Sequence, residues 1–157
     1  RQPDPIAMLG YWRNEEATRA KHVGEWMLSG DLGRKDENGY FWFLGRADDV
    51  ITSAGYRIGP GEVEECLMKH PAVAIAAAIG IPDPMRTEVV KAYIVPAQGF
   101  APSDALAAEI QDFVRARLSA HEYPRQIEFA DDLPLTATGK IRRTELRQRE
   151  RQRAEEV

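Results

Sequence analysis

The sequence predicts an α+β fold, a small sheet covered by helices, from three observations. Residues 73–81 and 89–95 are apolar, strand-like runs separated by the turn residues Pro82-Asp83-Pro84. Leu106, Ile110, Phe113, Val114 and Leu118 recur at a spacing that lines one face of a helix and fits no strand. Between residues 50 and 153 the order is strand, helix, strand, strand, helix, strand, helix, which lays helices on a sheet.

Each element follows from local chemistry. Asn14 caps a short helix with Glu15 and Glu16 in its first turn. Residues 24–28 form a short strand ending at Ser29-Gly30-Asp31, and the turn Asp36-Glu37-Asn38-Gly39 folds 30–34 onto 40–44 as a hairpin. Gly45-Arg46-Ala47-Asp48-Asp49 is polar and unlike its flanks, so the domain boundary falls there, giving domains 1–46 and 47–157. A second hairpin pairs 50–52 with 56–58 across Ser53-Ala54-Gly55. Gly59-Pro60-Gly61 launches a helix with Glu62, Glu64 and Glu65 in its first turns, Lys69 and His70 in its last, and Pro71 as its stop. Ser103-Asp104 caps the helix carrying the apolar stripe, 126–129 is a short strand, 134–140 a polar loop, and 141–153 a highly charged terminal helix. Trp12, Trp26 and Trp42 are expected to pack, and Cys66 joins Val63 and Leu67 in the core.

Composition narrows the function. With 43% hydrophobic and 29% charged residues, the 157-residue chain is an ordinary globular sequence. A net charge of −4 argues against general nucleic-acid binding. Cys66 is the single cysteine, so no internal disulfide forms and a reducing, cytoplasmic setting is expected. No apolar run approaches the roughly 20 residues of a membrane helix, and Arg1-Gln2-Pro3-Asp4-Pro5 opens no signal peptide. The missing initiator Met suggests a fragment, a processed chain or a trimmed one.

Four segments have chemical potential, each with a plainer alternative. Asp31, at a strand end, can accept hydrogen bonds from two vicinal ribose hydroxyls, or is a turn aspartate beside a glycine. Arg46 offers a planar fork to ribose or phosphate, while Asp48 and Asp49, with no companion ligands, make a poor metal site. Asp48 suits a linker that rotates; Asp49 is expected to be a solvated linker residue. Gly55 can supply a positive φ or a surface without Cβ for a ligand, and Arg57 alternates with Tyr56 and Ile58 so that its guanidinium leaves the core. Lys140 ends the loop Thr136-Ala137-Thr138-Gly139, a surface lysine or a catalytic cation. A Walker A loop is excluded, since Pro134 and Ile141 stand where that motif needs Gly and Ser or Thr. His22, His70 and His121 are scattered and carry no assigned role.

In order, Gly30-Asp31, Gly45-Arg46-x-Asp48-Asp49, Gly55-x-Arg57-Ile58, Glu62-x-Glu64 and Thr138-Gly139-Lys140-Ile141 resemble the C-terminal motifs of the adenylate-forming enzymes, across essentially the whole chain. The stretches 45–51, 55–60 and 133–141 are most similar to acetyl- and medium-chain acyl-CoA synthetases. One departure is Ser29, where that family commonly has Thr. The resemblance implies a mobile C-terminal domain preceded by a hairpin from the end of the large domain. It implies an ATP-dependent acid–CoA ligase that joins a carboxylic acid to AMP and then to CoA, with Mg²⁺ accompanying ATP mainly on the large domain. It assigns Asp31 to the ribose, Arg46 and Arg57 to the nucleotide, Asp48 to the hinge, Gly55 to the pantetheine tunnel and Lys140 to catalysis of adenylation. Lys140 would also be a target for a protein acetyltransferase and deacetylase. The family's phosphate loop and acyl pocket are absent from these residues, so the chain alone is expected to be inactive. An adenylation module serving a carrier protein and a non-catalytic binding module are the alternatives. The seven basic residues of 140–153 are expected to form a solvated helix, some of them meeting the CoA 3′-phosphate.

Overall fold

The structure is a computed structural model that describes residues 7–156. It divides into two compact units, Arg1–Asp48 and Asp49–Val157.

The first unit is a helix and two ribbons. Asn14 Oδ1 accepts the Ala17 N–H at 2.9 Å and opens α1 (Glu15–Ala20). β1 (His22–Val23) pairs with β2 (Trp26–Met27), and β3 (Asp31–Lys35) with β4 (Phe41–Arg46), both antiparallel. Asp36 builds the second turn: Oδ1 accepts the N–H groups of Asn38 and Tyr40 at 3.0 and 2.9 Å, and Oδ2 accepts Trp42 Nε1–H at 2.9 Å. The Trp42 bond, more than those from the Tyr40 and Asn38 N–H groups, holds the Asp36 carboxyl below its usual range. None of the described side chains of this unit is buried. Trp12, Trp26 and Trp42 are 86%, 63% and 55% exposed, against the expectation of packing. A six-residue helix and two two-stranded ribbons supply no second layer for them within the unit.

The second unit is a five-stranded sheet with helices on both faces. β5 (Ile51–Ser53) and β6 (Tyr56–Ile58) form a hairpin, and β7 (Val73–Asp83) and β8 (Thr87–Pro96) a long one. β8 is the hub: β7 lies along it, β5 meets it at Ser53–Thr87, and β9 (Gln126–Phe129) joins it in parallel. Alternate residues of β7 and β8 face opposite layers. Ala76, Ala78, Val90, Ala92 and Ile94 pack with Val63 and Leu67 of α2 (Pro60–Leu67) and with Leu106, Ile110 and Val114 of α3 (Asp104–Arg115). Ala77, Ile79, Ile81, Val89 and Tyr93 pack with Leu133 and with Leu146 of α4 (Arg143–Glu155). Burial on both faces explains why residues 76–81 are continuously apolar instead of alternating. The alanines leave room for helices to approach the sheet closely.

Several expectations change at element ends. Ser103 Oγ accepts the Leu106 N–H at 3.1 Å and caps α3 as expected. α2, however, ends at Leu67, so Lys69 and His70 lie beyond it. His70 is core rather than a solvated dipole partner: 3% exposed, it meets Phe113 edge-on and accepts the Ala72 N–H at Nδ1. Cys66 is buried, and burial pushes its thiol up. The terminal helix is not simply solvated. Arg143 and Arg147 are about four-fifths buried at the side chain and paired with carboxylates of this unit, as is the more exposed Arg153. Asp49, read from sequence as a solvated linker residue, is 13% exposed and takes part in those pairs.

Candidate functional site

Three clusters hold the residues singled out by sequence. In the first unit, β3 and β4 pair Asp31 with Arg46, bringing two residues fifteen apart onto one ribbon end. Arg46 Nη1 donates to Asp31 Oδ1 at 3.1 Å and to the Ser29 carbonyl at 3.1 Å, while Nε donates to Asp48 Oδ1 at 3.2 Å. Asp48 first, then Asp31, raises the guanidinium further above an already high value, so it is always cationic. Gly30 has φ +84, and a Cβ there would stand 2.9 Å from Arg46 Nη2 and 3.0 Å from Lys21 Nζ. Glycine thus lets two cations approach the backbone next to Asp31. The pairs are about 40–60% exposed, so a ligand can displace them at little cost.

The second cluster is the β5–β6 hairpin. Ser53 pairs with Tyr56 across a two-residue turn in which Ala54 has φ +50 and Gly55 φ +85, the pattern of a type I′ turn. A Cβ on Gly55 would meet nothing within 4 Å, so no neighbour among the described residues requires a glycine; the backbone does. Arg57 is exposed, as expected from its alternation. Tyr56 is exposed too, and stacks on His121 with ring centroids 3.9 Å apart and planes 12° apart. Three bonds tie the hairpin to β8: the Ser53–Thr87 pairing, Ala54 N–H to the Arg86 carbonyl at 2.8 Å, and Thr52 N–H to Glu88 Oε2 at 2.7 Å. Glu88 fits only because residue 80 is glycine: a Cβ there would lie 2.7 Å from the Glu88 carboxylate. Sequence reasoning missed Gly80 and Glu88, for the partner backbone of Thr52 lies thirty-six residues away.

The third cluster is the Lys140 loop. A Leu135–Ile141 bridge closes its base. Thr136 N–H donates to the Lys140 carbonyl at 2.7 Å, Gly139 N–H to the Thr136 carbonyl at 2.9 Å, and Lys140 N–H to Thr136 Oγ1 at 3.0 Å. Gly139 turns the chain at φ +79. The backbone of Lys140 is therefore fixed on both sides while its side chain is exposed.

Asp31, Arg46 and Asp48 thus sit together, Gly55 and Arg57 share one hairpin, and Lys140 stands on a separate loop of the second unit. No hydrogen bond or ion pair among the described residues joins Lys140 to Gly55 or Arg57. No group of three or more His, Cys, Asp or Glu able to hold a metal ion occurs among the described residues, and no described helix is long and apolar enough to cross a membrane.

Comparison with known proteins agrees with this arrangement. The model of the AMP-binding enzyme C-terminal domain matches residues 62–140. The mitochondrial acyl-coenzyme A synthetase ACSM2B of Homo sapiens is 53% identical over 149 residues, covering 93% of this chain and 26% of that protein. The acetyl-coenzyme A synthetase of Bacillus subtilis (strain 168) is 51% identical over 144 residues, covering 91% and 25%. Among solved structures, the anthranilate CoA ligase AuaEII in complex with anthranoyl-AMP superposes with a TM-score of 0.77 at 43% identity, over 90% of this chain and 27% of that one. The chain thus spans about a quarter of the length of the curated relatives it matches. With half of its residues matched by the family model and its fold shared with adenylate-forming ligases, the chain belongs to the AMP-binding enzyme C-terminal domain family.

Proposed function

We propose that this chain is the moving part of an ATP-dependent acid–CoA ligase. Residues 1–46 close the large domain, residues 47–157 form the mobile one, and Asp48 is the hinge. The observation that carries the reading is that one compact unit presents two stiff, chemically different tips: the exposed Lys140 on a closed loop, and the Gly55–Arg57 hairpin. A rotation between half-reactions exchanges one tip for the other at a single site.

In the first half-reaction a carboxylate oxygen attacks the α-phosphorus of ATP and pyrophosphate leaves. The Lys140 ammonium lies between carboxylate and phosphate, where negative charge accumulates in the transition state. Asp31 accepts the ribose hydroxyls, and Arg46, released from Asp31, turns to the nucleotide. In the second, the CoA sulfur attacks the acyl carbon and AMP leaves with the bonding electron pair. Gly55 then borders the pantetheine chain, and Arg57 meets nucleotide phosphate oxygens. No group of three or more His, Cys, Asp or Glu among the described residues could hold the Mg²⁺ that accompanies ATP, which we assign mainly to the large domain. Taken alone, the chain is inactive. Its setting is reducing, consistent with Cys66 as a free thiol. The exposed Lys140 is also open to a protein acetyltransferase and deacetylase, which would remove and restore the cation.

The test uses the full-length protein carrying this sequence, with acyl-adenylate formation and acyl transfer to CoA measured separately on a panel of carboxylic acids. AMP formation dependent on an acid and on CoA is expected. Acid-dependent adenylation with no transfer to CoA would favour a carrier-protein acceptor.

A further inference from the structure

Asp49 follows the hinge residue directly and is held by two arginines of the terminal helix. Its Oδ2 accepts from Arg143 Nη1 at 3.2 Å and its Oδ1 from Arg147 Nη2 at 2.9 Å. Arg143 also grips Glu64 with two parallel bonds, Nε to Oε1 at 3.0 Å and Nη2 to Oε2 at 2.6 Å. Glu64 Oε1 in turn accepts the Ala78 N–H at 2.8 Å from the middle of β7. Side-chain exposures along this chain of contacts run from 9% at Glu64 to 21% at Arg147, so screening by solvent is weak.

The position of Arg143 gives the network its meaning. It is the first residue of α4, three residues past Lys140. The α4 N-cap, Arg142, makes no side-chain cap bond; its N–H donates to the Pro134 carbonyl at 2.8 Å and ties the loop base. The start of α4 is therefore secured by Glu64 and Asp49 in place of a cap. One guanidinium joins the residue after the hinge, the base of the Lys140 loop and the central sheet. A rotation at Asp48 reaches Lys140 as a rigid displacement only if such a strut exists.

We propose that Asp49, Arg143 and Arg147, seated on Glu64, are the positioning residues that couple the hinge to the Lys140 loop. The proposal rests on the two-tip reading above. It places none of the four on substrate. The Gly55 hairpin has its own ties to β8 through Thr52, Ser53 and Ala54, so loss of the strut disturbs adenylation more than transfer to CoA.

The experiment uses the full-length protein with Asp49→Asn, Arg147→Gln and Arg147→Lys, and Lys69→Ala as a charge-matched control whose partner is the exposed Glu65. Both half-reactions are measured well below each variant's melting temperature, transfer being started from supplied acyl-adenylate. Asp49→Asn and Arg147→Gln are expected to lower kcat for adenylation roughly 10–100-fold, the scale of a misplacement near 1 Å. The KM for ATP should hold, and the ratio of adenylation to transfer should fall. Arg147→Lys, which keeps the charge, should recover most of the loss, and Lys69→Ala should match wild type. Unchanged rates, or an equal fall in both steps, would overturn the proposal and leave the network a stability element. If wild type forms no adenylate with any acid, the two-tip reading fails first and the coupling falls with it.

Discussion

The two units use charge in opposite ways. In the first, Asp31, Arg46 and Asp48 form pairs left about 40–60% open to solvent, on a ribbon that buries none of its described side chains. In the second, Asp49, Glu64, Arg143 and Arg147 are largely buried, and Lys91 is held at 2.8 Å by both Glu128 and Glu150. Exposed pairs are worth little and exchange easily, which suits a ligand that must displace them. Buried pairs are costly to break, which suits a body that must rotate without deforming. Within one chain, burial separates the charges proposed to meet substrate from those that hold the frame.

The largest stability effect should come from the two-sided core. Leu146 is fully buried on the α4 face of the sheet, and Leu146→Ala should cost about 2–5 kcal/mol of unfolding free energy with a matching fall in melting temperature. A truncation as large on the first unit's Trp12, which is 86% exposed, should leave that transition unmoved.

The buried ion network makes the contrast pH-dependent. The hydrogen bond from Arg153, against the opposing effect of burial and with help from Lys91, holds the Glu128 carboxyl down to about 2 from its ordinary 4.5. Burial would raise Glu150, but bonds from Lys91 and Tyr93 outweigh it and lower it as well. Burial and the Glu150 bond push Tyr93 up, so it stays a protonated donor. A carboxylate lowered on folding adds stability that is complete above its unfolded value and disappears as pH falls through its folded one. The second unit should therefore lose stability between about pH 4.5 and pH 2, and Glu128→Gln should flatten part of that slope in melting temperature. A slope unchanged by Glu128→Gln would contradict the assignment.

A smaller effect sharpens the view of the hairpin. Gly80→Ala would push the Glu88 carboxylate off the Thr52 N–H and should cost about 0.5–1.5 kcal/mol, the worth of that hydrogen bond, with faster amide exchange at Thr52. The smallest effect is expected at Arg149→Ala, whose partly exposed pair with Glu145 should contribute about 0.5 kcal/mol or less.

Local features were legible in the sequence, and long-range partners were not. The α3 stripe, the Ser103 cap, the Asp36 turn and the hairpin at Gly55 all follow from residues within about one turn of each other, although Ser53, read as part of the hairpin's turn, is the last residue of β5. Glu64 read as a dipole-favouring acid, because its partner Arg143 is 79 residues away. The parallel placement of β9 on β8 depends on the α3 crossover, which periodicity does not fix. His70 and Tyr56 were misjudged because their surroundings, Phe113 and His121, come from other elements. The candidate site residues were singled out by the resemblance of several short motifs, taken in order, to those of a known family, each motif being ambiguous alone.

The central claim is that two tips of one domain serve two half-reactions. It is tested most directly by Lys140→Ala and Gly55→Leu in the full-length protein, with adenylation and transfer from supplied acyl-adenylate measured for each. Lys140→Ala should lose about 10²–10³ in adenylation rate and keep transfer, whereas Gly55→Leu should keep adenylation and lose transfer. If either variant loses both steps equally, or loses neither, the division of labour between the Lys140 loop and the Gly55 hairpin is wrong.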